Sequence, residues 1–389
     1  MDLHANWNFP TAITVGEGCL AQLGERCKAL KMTKVLLITD PGLVDFPMVN
    51  EAIAYCTQAG LEAEVFCEIQ GNPTGEHVRA GASFFNAGHF DGVVAFGGGS
   101  SLDAAKAIAM IAKQSLSLWS TEDVGDNWTH IDASLMIPVV AVPTTAGTGS
   151  EVGRASVITD TDGSHPIKRI IFHPNMLPAN VLLDPHLTVG LPAHITAATG
   201  LDALSHNLEA YCSSFYHPMA EGIAIEGIRL VKRYLPRAVA NGDDIEARTQ
   251  MLVASSMGAT SFQRGLGAMH AIAHSLGALY DKHHGLLNAI LMPYVLVRNR
   301  RVIEEKIIRL SKYLELDQAN FDGFLAWVIT LRAQLSIPHT LAEIGITLDD
   351  QVLVGKMSVQ DAAAGGNPIS LSEDDYSSLF GNAVNGHLG

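Results

Sequence analysis

A chain of 389 residues has room for two domains, each with its own core, and 48% apolar against 17% charged residues is the balance of an ordinary water-exposed globular protein. The formal charge of −15 excludes the basic stripe that a nucleic-acid backbone or an anionic membrane surface demands; the stretches KRIIF and VRNRRVIEEK are short and mixed. No apolar run reaches membrane-spanning length, the start MDLHANWNFPTAITVG has no apolar leader core, and five cysteines without a CxxC read as reduced thiols, so the expectation is a cytoplasmic protein.

In chain order, Gly16 and Gly18 in VGEGCLA form a GxGxxA string, but no convincing βαβ unit precedes them. They read as a turn and helix start. Short β-branched runs then alternate with helical stretches: 34–39 (KVLLIT), 62–66, 92–96 (GVVAF), 138–142 (PVVAV) and 180–183 are predicted strands. Apolar runs without polar alternation imply burial on both faces, as in a parallel sheet covered by helices. Asp40 closes the first of these strands. Its carboxylate can accept hydrogen bonds from an adenosine ribose and repel a 2′-phosphate, which favours NAD over NADP; a turn before Pro41-Gly42 is the plainer alternative.

Two glycine-rich elements follow predicted strands. In VVAFGGGSSLDAAKAIAM, Gly97, Gly98, Gly99, Ser100 and Ser101 lead into an Ala-rich helix carrying Asp103; glycines admit a phosphate to the backbone amides, and the helix amino terminus adds its positive end. The pattern is neither GxGxxG nor a P-loop, so a dinucleotide is favoured over a hydrolysable triphosphate. In VAVPTTAGTGSEV, Thr144, Thr145 and Thr148 offer hydroxyls and amides to a pyrophosphate or ribose. From Pro192 onward strand signals vanish, and helical segments dominate with Pro and Gly as punctuation between them. The domain boundary is expected between Asp184 and Pro192, giving an α/β domain at 1–187 and an all-helical domain at 188–389.

The helical half holds Asp202 and His206 in GLDALSHNLEAY, then His270, His274 and His284 in GLGAMHAIAHSLGALYDKHHG. Asp202 and His206 are i and i+4, one turn apart on one helix face, and His270 and His274 repeat the spacing. A helix end near Gly277 to Asp281 brings His284 back toward His270. One carboxylate with three imidazoles suits Fe(II), Zn(II), Mn(II) or Co(II) and leaves an open coordination position.

Taken together these motifs resemble the iron-activated, group III alcohol dehydrogenases of the dehydroquinate synthase-like superfamily, over nearly the whole chain. The resemblance implies an amino-terminal α/β NAD-binding domain, a carboxyl-terminal helical metal domain, and an active site in the cleft between them. It implies cofactor roles for GGGSSLDAAK and PTTAGTGSE, for Asn72 in GNPTGEHV, for Asp40, and for Lys168 in HPIKRIIFHP beside the nicotinamide ribose. It implies Asp202, His206, His270 and His284 as metal ligands, with His274 between metal and nicotinamide. The activity implied is hydride transfer between nicotinamide and a small primary alcohol or its aldehyde, in a homodimer or larger homo-oligomer.

Two departures bear on substrate. The family's AFSNAGLG stands here as TSFQRGLG, which places Gln263 and Arg264 just before the His270 helix and resembles the branch acting on ω-hydroxy acids; Arg264 is expected to pair a substrate carboxylate, or else to form a salt bridge. The family's Cys before GGNP is replaced, with Ala364 nearby. An NAD- and metal-dependent lyase or cyclase of the dehydroquinate synthase kind, and a non-catalytic metal-binding homologue, stay open as alternatives.

Overall fold

The computed structural model describes Phe9 and residues 11–388. The chain divides into two compact units, one holding Phe9–Thr145 and Gly149–Gly190, the other Ala146–Thr148 and everything from Leu191 onward.

In the first unit the strands are β1 (Ala12–Val15), β2 (Lys34–Ile38), β3 (Glu62–Phe66), β4 (Gly92–Gly97), β5 (Val139–Pro143), β6 (Ala155–Asp160), β7 (Ile167–Phe172) and β8 (Asn180–Leu183). Six of them form one parallel sheet in the order β1-β8-β5-β4-β2-β3. Helices α1 (Leu23–Ala29), α2 (Pro47–Gln58), α3 (Gly75–Ala87) and α4 (Gly99–Ile111) make the connections. The uniformly apolar central strands are the buried ones: every residue of β4 and β5 is enclosed. From β2 the chain steps outward to β3, then returns to place β4 on the other side of β2, so the strand order reverses between β2 and β4. In open α/β sheets that is where a crevice forms at the carboxyl ends of the strands.

Three strands escaped the sequence reading. β1 is short, half exposed and hydrogen-bonded to β8 alone. β6 and β7 form a separate antiparallel pair in which Lys168 and Arg169 interrupt the apolar run, so no buried-strand signal is present. Gly16 and Gly18 sit at φ 145° and 70°, and Cys19–Gln22 form a single turn of 3-10 helix ahead of α1, as a turn and helix start require.

The second unit contains α5 (Ala193–Cys212), α6 (Pro218–Ala240), α7 (Ile245–Ser261), α8 (Ala268–Tyr280), α9 (His284–Tyr313), α10 (Phe321–Gln334), α11 (Gln351–Gln360) and α12 (Glu373–Asn385) around one apolar core. Proline does not always punctuate here as the sequence suggested. Pro236 lies within α6, and Pro293 lies within the 30-residue α9, where its burial in the core offsets the one lost backbone bond. α5 runs through the middle of the bundle and is buried almost all round, which places its Asp202 and His206 away from water.

Candidate metal centre

Three helices converge on one point. α5 presents Asp202 and His206, α8 presents His270, and α9 begins with His284; one ligand atom from each of the four lies within 4.8 Å of the other three. A single ion with bonds of about 2.0 to 2.2 Å draws donors together over such spacings. α8 ends at Tyr280 with Asp281 in the left-handed region at φ 51°, and residues 281–283 reverse the chain so that α9 starts at His284, capped by the His283 ring. Gly285 is required at the next position. A Cβ there would lie 2.4 Å from the Ala198 carbonyl and 2.9 Å from Cβ of Asp202, so only glycine lets the start of α9 approach α5.

Hydrogen-bond partners fix which nitrogen each imidazole turns toward the centre. His206 Nδ1 donates to the Gly147 carbonyl at 3.3 Å and His270 Nδ1 to Glu209 Oε2 at 2.7 Å, since carbonyl and carboxylate oxygens only accept. Both rings therefore keep the Nε2 lone pair for the centre. The Asn288 amide nitrogen, one turn along α9 from His284, lies 2.9 Å from Asp202 Oδ1 and 3.1 Å from Nε2 of both His270 and His284. Its two protons face three acceptors. A site so rich in lone pairs, with a carboxylate among them, fits a divalent cation. Burial reinforces this by pushing His206 down to about 4, with the neighbouring His270 adding to the effect, so the ring is neutral and able to ligate at physiological pH.

His274, one turn beyond His270, stacks on His284 with ring centroids 5.2 Å apart, and its Nδ1 donates to Asp361 Oδ2 at 2.9 Å. Its Nε2 is thereby the nitrogen able to take up or give a proton. Asp361 follows α11, 87 residues away in sequence. No local pattern announces it.

Of the two roles open to Arg264, the structure shows a salt bridge. Its side chain is 6% exposed and lies past the carboxyl end of α5, where Nε donates to the Phe215 carbonyl at 2.7 Å and Nη1 to the Tyr211 and Ala210 carbonyls at 3.1 and 3.3 Å. Nη1 also pairs with Glu221 Oε2 at 2.7 Å. The guanidinium closes a helix end, where four carbonyls lack partners within the helix and a cation is favoured. The neighbouring Gln263 turns back to the Thr260 carbonyl at 2.7 Å.

The first unit gathers most of the residues expected to meet a nucleotide. At the β2/β4 reversal, Asp40 Oδ1 accepts from the Gly42 amide at 2.9 Å and Oδ2 from Ser101 Oγ at 3.3 Å, so turn former and crevice residue are the same side chain. The Thr144 amide donates to the Gly97 carbonyl at 2.9 Å, which sets the two glycine-rich elements side by side. α4 begins at Gly99 behind Gly98, with no side chain capping it, so its first amides suit an anion. Lys168 Nζ donates to Asn72 Oδ1 at 2.9 Å, joining two residues 96 apart in sequence. Asp103 is tied into the unit itself. Its carboxylate accepts from Ser150 Oγ at 2.5 Å and the Val157 amide at 2.9 Å and pairs with buried Lys106 at 3.3 Å, so it braces β6 and the 150–152 turn against α4. Thr148 belongs to the helical unit together with Gly147, the partner of His206.

The iron-containing alcohol dehydrogenase family model matches residues 10–185, and the model for the carboxyl-terminal region of Fe-containing alcohol dehydrogenases matches residues 196–384. The chain is 34% identical to the NAD-dependent methanol dehydrogenase of Bacillus methanolicus over 97% of its own length and 100% of the relative's. It is 37% identical to the 4-hydroxybutyrate dehydrogenase of Cupriavidus necator over 95% and 97%. A solved structure of a 1,3-propanediol oxidoreductase superposes with a TM-score of 0.92 at 34% identity, covering 97% of this chain and 99% of that one. With a parallel sheet, a helical half and an Asp-His-His-His cluster of the kind that resemblance predicted, the chain belongs to the iron-containing alcohol dehydrogenase family.

Proposed function

We propose that the protein is an NAD-linked, metal-dependent dehydrogenase that interconverts short primary alcohols, ω-hydroxy acids among them, with their aldehydes. The observation that carries this reading is the convergence of Asp202, His206, His270 and His284 on one point, in a chain whose relatives are named as dehydrogenases of methanol, 1,3-propanediol and 4-hydroxybutyrate. Domains are assigned accordingly: residues 1–187 for NAD and 188–389 for the metal.

The chemistry such an ion supplies when bound is Lewis acidity toward an alcohol or carbonyl oxygen. The four side chains hold it at a buried position, with lone pairs already aimed by Gly147 and Glu209. The amides at Gly97, Gly98, Gly99, Ser100 and Ser101 bind the pyrophosphate, with Thr144 and Thr145 alongside. Asp40 accepts from the adenosine ribose hydroxyls and disfavours a 2′-phosphate. Lys168 and Asn72, already paired, bind near the nicotinamide ribose. Bound there, the nicotinamide would supply hydride-transfer chemistry, and alignment in a dry site is what the protein contributes. His274, with Asp361 holding its Nδ1 proton, takes up or releases the alcohol proton at Nε2.

Affinity order alone favours Zn(II) over Fe(II) at such a donor set, so the assignment to iron, with zinc as the competitor, rests on the family. A homodimer or larger homo-oligomer in the cytoplasm completes the reading. It is supported by the edge position of β1, by five free cysteines, and by the absence, among the described residues, of any helix long and apolar enough to cross a membrane.

The test is a panel of short alcohols, diols, ω-hydroxy acids and their aldehydes with NAD(H), run on metal-stripped protein resupplied with Fe(II) or Zn(II). Metal-restored consumption of NADH with an aldehyde is the expected result. Absence of turnover with every member and both metals refutes the reading, and a lyase of the dehydroquinate synthase kind would return its NAD unchanged.

A further inference from the structure

Glu209 lies one turn past His206 on α5, seven residues from Asp202, so all three face the same side. It is 5% exposed. Its Oε2 accepts from His270 Nδ1 at 2.7 Å and from the Gly267 amide at 2.7 Å, while Oε1 accepts from the Met269 amide at 2.8 Å. Gly267 is the residue before α8, and a Cβ on it would stand 2.8 Å from Glu209 Oε1, so glycine there is what admits the carboxylate. A charge taken this far from water needs donors. Glu209 finds three, two of them on the positive end of a 13-residue helix.

We propose that Glu209 is a positioning residue for the metal centre, acting through His270: it fixes the ring's proton on Nδ1 and docks the helix that carries the ring, so that Nε2 is offered to the ion. The inference rests on the reading of the four-donor cluster as a metal site. The two duties share one oxygen, Oε2, which couples the place of α8 to the protonation pattern of His270. A neutral imidazole without such an acceptor is free to carry its proton on Nε2, and that form offers the centre no lone pair at Nε2. Hydrogen bonds of this kind to ligand imidazoles are worth about 10- to 100-fold in metal affinity.

The substitution Glu209→Gln keeps the shape and exchanges one oxygen for an NH2. In either amide orientation a donor then faces a donor. Toward Met269 the clash is with a backbone amide; toward His270 the amide donates to Nδ1 and drives the proton to Nε2. Asn367 provides the comparison, because its Oδ1 accepts from the Ala268 amide at 3.2 Å and so caps the same helix end without bonding to His270.

Zn(II) dissociation constants are measured on metal-stripped full-length protein by competition with a chromophoric chelator, and visible spectra are recorded with Co(II). Glu209→Gln is expected to weaken Zn(II) by about 10- to 100-fold and to alter the Co(II) bands. Asn367→Ala should lower the melting temperature while holding the Zn(II) constant within about threefold. In a His270→Ala background Glu209→Gln should add less than about threefold, because the residue through which it acts is gone. Glu209→Asp, which keeps the charge but withdraws it by one methylene, is judged by the same criteria if the Gln variant fails to fold. Wild-type affinity and spectrum in the Glu209 variant, or losses that multiply with His270→Ala, overturn the proposal while leaving the metal centre standing. A wild-type protein that binds neither Zn(II) nor Co(II) overturns both.

Discussion

Replacing Arg264 with Ala tests a structural role against substrate recognition. The guanidinium is held by three carbonyls and one carboxylate, and they do not suffer equally from its removal. Tyr211 O keeps Lys306 Nζ at 2.9 Å, and Glu221 keeps Arg309 along with Lys306 at 3.8 Å. The carbonyls of Phe215 and Ala210 lose a charged donor each, at about 1 to 3 kcal/mol per buried group left unsatisfied. Glu221 stays compensated by Arg309 and Lys306, so the lost pair adds little and the whole comes to about 2 to 4 kcal/mol. Denaturant midpoints of metal-free protein should therefore fall by that equivalent, with Arg264→Lys recovering only a part because a single ammonium cannot reproduce the fork. The ratio of kcat/KM for an ω-hydroxy acid to that for an uncharged alcohol of equal length should stay within about threefold of wild type. The reasoning fails if stability is unchanged, within about 0.5 kcal/mol, while that ratio collapses.

The site was legible where function and helical periodicity coincide. Asp202 with His206, and His270 with His274, are separated by one turn, so spacing alone puts each pair on a face; Gly97 to Ser101 follow an unbroken apolar strand, so the phosphate-type loop declares itself. Glu209 and Asn288 obeyed the same rule, at i+7 from Asp202 and i+4 from His284, yet passed unread because a Glu in an exposed-looking NLEAY and an Asn in HGLLN carry no chemistry until a neighbouring helix supplies a partner. Asp361 meets His274 only through tertiary packing, which no local window contains. Arg264 was left between two roles for the opposite reason. Proximity in sequence to a ligand helix says nothing about direction, and the end of α5, with its unsatisfied carbonyls, was the stronger claimant. β4 and β5 were legible because they are fully buried and uniformly apolar, and β7 was missed because Lys168 and Arg169 break its half-exposed run.

His284→Ala should strip the centre of its metal, leaving less than about a tenth of the wild-type content by mass spectrometry, while NAD still binds measurably by fluorescence titration; retained metal and rate would show that the fourth ligand lies elsewhere. Asp40→Asn, which keeps an acceptor for the Gly42 amide but removes the charge, should shift the NADP-to-NAD ratio of kcat/KM upward by about 10-fold, and an unchanged ratio would disconnect Asp40 from the ribose. Acid should weaken the metal-free protein through His206, whose folded pKa is pushed down from 6.5 to about 4 by burial. Between those values the unfolded chain holds the extra proton, so the contribution of the neutral ring is whole above the unfolded pKa and is lost as pH falls toward the folded one. From pH 7 to pH 5 the loss amounts to about 2 kcal/mol, because only the part of the interval above pH 5 has been crossed. Urea unfolding at the two pH values, for wild type and His206→Gln, isolates this share from every other titrating group. The wild type should lose about 2 kcal/mol more than the variant, and equal losses would mean that the ring is free to protonate in the folded state and is not held neutral for a metal.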